Sequence, residues 1–116
     1  MARVSSHTLN SVDGSHAAGI KVTLRNLDTQ ETLFETEMDQ GGRLSEEIVN
    51  PEGRAQYELV FETGAYWQSH LDKMESASIM KEIVIRFSMP DADGRYHIPL
   101  ILAPNGYSVW SSTPEG

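Results

Sequence analysis

The chain has 116 residues, enough to bury one hydrophobic core without disulfide staples, so one domain spanning residues 1–116 is expected. Its 9 Lys and Arg stand against 17 Asp and Glu, and a net charge of -8 repels phosphate backbones and anionic lipid, which argues against nucleic acid and membrane as partners. The absence of cysteine removes disulfides, thiolate nucleophiles and Cys-type zinc sites together.

The N-terminal MARVSSHTLN lacks the hydrophobic core of a signal peptide, and no apolar stretch approaches the length of a bilayer span, so a cytoplasmic protein is expected. VSSHTLN reads as a short polar strand opening the fold, with Ser5, His7 and Leu9 on one side. A turn-rich stretch over 10–19 follows. Ile20, Val22 and Leu24 then alternate with Lys21, Thr23 and Arg25, the period-two pattern of a strand with one wet face. Turn residues cluster again at 26–30, 39–42 and 50–53. Arg43 in DQGGRLS follows two glycines, which permit close backbone approach and an unusual side-chain direction. Taken alone, it reads equally well as a solubilising loop arginine.

Tyr57, Leu59 and Phe61 oppose Gln56 and Glu58 in a second clear strand. The stretch 67–82, WQSHLDKMESASIMKE, has neither Gly nor Pro and sets Trp67, Leu71 and Met74 at helical spacing, predicting one short helix. Ile83, Ile85 and Phe87 share a strand face across from Arg86, and turns follow at 91–94 and 104–106. In RYHIPLIL, extended geometry sends Tyr96, Ile98, Leu100 and Leu102 to the core and His97, Pro99 and Ile101 to the opposite face. A histidine and a proline in so apolar a run suggest a face turned to a cleft or another subunit, with a solvated histidine as the plain alternative. His16, in a turn, and His70, on the predicted helix, read as exposed histidines. Short strands punctuated this way predict an all-β antiparallel sandwich. No Ser-His-Asp order, HExxH or phosphate-binding glycine loop is present, and DADG lacks the continuation of a calcium loop.

Taken in order, VSSHTLN, MDQGGR, FETGAYW and RYHIPLILAPNGYS resemble the transthyretin-like family, specifically its hydroxyisourate hydrolase branch. DGSHAAGIKVTL is similar to the family's second segment, with His16 where a proline is usual. The resemblance implies a transthyretin-like sandwich of two four-stranded antiparallel sheets with one short helix, assembled as a homotetramer with sites at subunit interfaces. It places His7, Arg43 and His97 among the catalytic residues, puts Pro99 in a channel between protomers, and implies a small heterocyclic substrate derived from urate. Such chemistry asks for a base toward water, an acid toward the leaving nitrogen and a cationic donor for charge on oxygen, with no metal or organic cofactor. Two histidines and an arginine suit those tasks.

The family's closing Tyr-Arg-Gly-Ser is replaced here by Trp110, Ser111, Ser112 and Thr113. Thr113 retains a hydroxyl for the catalytic set, and Trp110, Ser111 and Ser112 take the substrate-lining positions. Loss of the arginine removes a planar donor fork, and the tryptophan enlarges the aromatic surface. Alternatives to hydroxyisourate hydrolysis are the same scaffold recruited as a hydrolase or cyclase for another small heterocyclic or electrophilic substrate, and a carrier without turnover.

Overall fold

The computed structural model describes residues 1–70 and 79–111, in nine strands and one helix. In chain order these are β1 (Ala2–Asn10), β2 (Lys21–Asn26), β3 (Thr32–Glu37), β4 (Arg43–Ile48), β5 (Tyr57–Phe61), α1 (Thr63–His70), β6 (Ile83–Phe87), β7 (Arg95–His97), β8 (Leu100–Ala103) and β9 (Gly106–Val109). One sheet has the order β4-β1-β8-β9, with β7 also paired to β1; the other has the order β3-β2-β5-β6.

Two sheets and one helix match the expected sandwich, with two differences of detail. The pairings of β1 with β7 and with β8 are parallel, while the other ladders are antiparallel. The 95–103 run is also split into two strands, so this sheet has five. Proline is the reason for the split. Arg3 pairs Arg95 and Thr8 pairs Leu100, the same offset on both sides of the gap, so the register continues while the ladder breaks at residues 98–99. Pro99 has no N–H to offer. The Ile98 carbonyl is satisfied instead by the buried Ser6 hydroxyl, which donates to it at 2.6 Å.

The core lies between the sheets. Val4, Val22, Leu24, Leu59, Phe61, Leu100 and Leu102 are fully buried there, as their alternation predicts. The inward face of β1 turns polar after Val4, with Ser6, Thr8 and Asn10 all buried. Each finds a partner: Thr8 Oγ1 donates to the Ala17 carbonyl at 2.8 Å and Asn10 Nδ2 to the Tyr66 hydroxyl at 3.0 Å. Leaving one of them unpaired would cost about 1–3 kcal/mol, so these contacts tie the loop before β2, helix α1 and the β7–β8 break to β1.

The helix departs from the predicted 67–82. It begins at Thr63, because Tyr66 and Trp67 must reach the core directly after β5, and their burial overrides the poor helix propensity of Thr63 and Gly64. Residues 79–82 are not helical; the Lys81 carbonyl accepts from Gly64 N–H at 2.9 Å, which draws this segment alongside the helix start. Leu71 and Met74 lie outside the described residues.

Candidate active site

Strand β1 is flanked by β4 on one side and β7 on the other, and its outward face carries Ser5 and His7. Cross-strand pairing then assembles three distant parts of the sequence. Arg43 sits directly opposite His7, and His97 directly opposite Ser5. The Ser5 hydroxyl lies 2.8 Å from His97 Nδ1, holding that ring and leaving Nε2 for other work. Beside them Ser5, Asp39, Arg43, Ser45 and His97 line an open cleft of about 350 Å³.

Arg43 owes its position to a tight turn. The Asp39 carboxylate accepts from the N–H groups of Gly41 and Arg43, both at 2.9 Å, and Gly42 adopts φ 68°. Gly42 N–H donates to the Asp39 carbonyl at 2.9 Å, and Thr8 N–H donates to the Gly42 carbonyl at 2.8 Å. A Cβ on Gly42 would lie 2.6 Å from the Thr8 carbonyl oxygen, so only glycine lets the turn approach β1 this closely. The Arg43 side chain is exposed and makes no ion pair with a described carboxylate.

Both histidines are held below the ordinary imidazole range. For His97 the causes are burial first and then the Arg43 guanidinium. For His7 they are burial, Arg43, His16 and, last, His97, with the Gly41 carbonyl pulling the other way. Neutral imidazoles beside the Arg43 guanidinium can accept protons from water, and the guanidinium can stabilise charge on an oxygen, the division of labour expected for opening a cyclic amide.

The other expected site residues lie apart. Pro99 is buried at the β7–β8 break. Trp110 and Ser111 line a separate groove with Ile85, Phe87, Tyr96 and Ile98, on the side of β7 away from His97. Ser112 and Thr113 lie outside the described residues. His16, read from the sequence as an exposed turn histidine, stands beside His7, with Nδ1 2.9 Å from His7 Nε2. His70 remains on the helix, its ring against Tyr66 at a centroid distance of 3.9 Å. Apart from the unusual residue at position 16, no sequence pattern pointed to the His7–His16 contact, which comes from a loop folding back on β1.

The model of the HIUase/Transthyretin family matches residues 4–111. The chain belongs to that family. Within the HIUase/Transthyretin family it is 33% identical over 112 residues to 5-hydroxyisourate hydrolase 2 of Rhizobium meliloti (strain 1021), an alignment covering 93% of each chain. It is 30% identical over 114 residues to 5-hydroxyisourate hydrolase of Pseudomonas aeruginosa, covering 95% of this chain and 90% of that one. The structure of Klebsiella pneumoniae 5-hydroxyisourate hydrolase superposes with a TM-score of 0.80 at 26% identity, covering 97% of this chain and 100% of the other.

Proposed function

We propose that this member of the family is a hydrolase that opens the ring of 5-hydroxyisourate, a step of urate breakdown. The observation that carries the reading is the convergence of His7, Arg43 and His97 on one outward face, drawn from three strands by the pairing of β1. The names of its relatives support the substrate, and the neutral bias of both imidazoles supports the chemistry. One histidine takes a proton from water as it attacks the ring carbonyl. Arg43 stabilises the charge that gathers on the carbonyl oxygen. The second histidine gives a proton to the departing nitrogen, and the ring opens without a change in oxidation state.

Thr113 supplies a hydroxyl to this set, and Trp110, Ser111 and Ser112 contact the substrate, while Pro99, buried at the β7–β8 break, shapes the backbone beside His97 rather than touching substrate. Those roles need a second protomer, because within one chain Trp110 and Ser111 line the groove away from His97. The proposal therefore includes a homotetramer whose subunits meet over the outward face of β1 and β8, acting in the cytoplasm. Among the described residues no helix is long and apolar enough to cross a membrane.

The test is the ultraviolet decay of freshly generated 5-hydroxyisourate, with wild-type protein and with His7→Asn and His97→Asn. Wild type should accelerate the decay, and each variant should lose about 10²–10⁴-fold of kcat while remaining folded. Decay at the spontaneous rate with wild-type protein would reject the substrate. Full activity in both variants would reject the roles given to the histidines.

A further inference from the structure

Between β1 and β2 the chain doubles back on the strand it has just left. Ala17 N–H donates to the Thr8 carbonyl at 2.9 Å, the Thr8 hydroxyl returns a bond to the Ala17 carbonyl at 2.8 Å, and Leu9 and His16 form an antiparallel bridge. Backbone pairing thus fixes the residues on either side of the His7–His16 contact. The two ring planes are 21° apart with centroids 5.0 Å from each other, and Nε2 of His7 is 2.9 Å from Nδ1 of His16. That separation matches two imidazoles and one hydrogen bond laid end to end, so the bond runs in the ring planes along the lone pair. One of the two nitrogens must carry the hydrogen.

The two rings differ in surroundings. His16 is exposed, whereas His7 is half-buried and faces Arg43 from β4, His97 from β7 and the Gly41 carbonyl, which accepts from its ring, with the Asp39 carboxylate engaged by its own turn. A positive charge on the pair is better tolerated on the solvent side.

We propose that His16 is a positioning residue for His7: it holds the His7 ring through Nε2 and stores, on the solvent side, the charge of the proton that His7 delivers. The inference rests on the ring-opening reaction proposed above. In the loaded pair His16 bears hydrogens on both nitrogens and donates from Nδ1 to Nε2 of neutral His7, whose own hydrogen is on Nδ1. As the ring C–N bond breaks, the Nδ1 hydrogen of His7 leaves the Gly41 carbonyl and passes to the departing nitrogen, and the Nδ1 hydrogen of His16 passes to Nε2 of His7. His7 is neutral before and after the step, and His16 gives up the charge. When His7 Nδ1 next takes a proton from water, its Nε2 hydrogen returns to His16 and the pair is reset. His97, steadied by Ser5, is left to activate the attacking water.

Ring 15N NMR titrations of the unliganded protein test the pair without reference to any substrate. In wild type, His7 should stay neutral to lower pH than a lone imidazole. In His16→Ala, His7 should titrate at higher pH. On 5-hydroxyisourate, kcat of His16→Ala should fall roughly 10- to 100-fold, with KM within about twofold of wild type. His16→Gln, which keeps hydrogen-bonding atoms but cannot titrate, should not restore the rate, whereas free imidazole should partly restore it in His16→Ala. An identical His7 titration in wild type and His16→Ala would overturn the inference, as would unchanged kcat in both variants. If wild type fails to turn over 5-hydroxyisourate, the substrate assignment falls, and the ring titrations still decide the pair.

Discussion

His7 and His97 are half-buried, and both lie in the field of Arg43, so the folded protein resists protonating them. The consequence for stability has a definite sign. Above the unfolded-state value of about 6.5 the rings are neutral in both states and add no pH dependence. Below it the unfolded chain binds protons that the folded chain refuses, so stability falls as pH drops through the lowered folded values. Thermal midpoints should be level from pH 8 to about 6.5 and then decline, with a shallower decline in the His7→Asn/His97→Asn double variant. Superimposable curves would show that the two rings titrate alike in both states. Both histidines were visible in the sequence as candidates, but burial and the proximity of Arg43 were not, because these depend on strands that pair across 36 and 92 positions.

At the scale of elements, the turn before β4 determines where the guanidinium stands. The double glycine marked this turn in the sequence as one of close approach, yet what it approaches was not legible, since Thr8 and Ala17 belong to other segments. Gly42→Ala would force a side chain into a φ of 68° and against the Thr8 carbonyl. The expected loss is about 1–3 kcal/mol in chemical denaturation, accompanied by a fall in kcat/KM as Arg43 shifts from its place opposite His7. Wild-type stability and activity in this variant would mean that the turn relaxes freely. Helix α1 carries a similar lesson. Only its last four residues, 67–70, fall within the helix expected from sequence, and its start was decided by Tyr66 and Trp67 having to enter the core immediately after β5, which local propensity does not encode.

At the scale of the molecule, the outward face of the first sheet leaves Ile101 38% exposed on the strand that follows Pro99. The expected homotetramer gives this residue a partner surface. Wild-type protein should sediment as a tetramer in analytical ultracentrifugation, and Ile101→Glu should shift it to smaller species by placing a charge in an apolar contact. A wild-type monomer would remove the shared site from the proposal, and a tetramer indifferent to Ile101→Glu would move the interface elsewhere.

The alternation of Val22 with Thr23 and of Leu59 with Glu58 determined, without any coordinates, that this is a sandwich with wet outer faces, because period-two patterning is a local property that one face of a sheet must satisfy. The pairing of β1 with β4 and β7 was decided only in three dimensions, and with it the meeting of His7, Arg43 and His97. So was the contact with His16, which no spacing rule describes, because a loop folds back and is tied through Thr8 and Ala17. Short-range patterning settles which side of a strand is wet; which side chains share that wet side is settled by long-range hydrogen bonds that no window of the sequence contains.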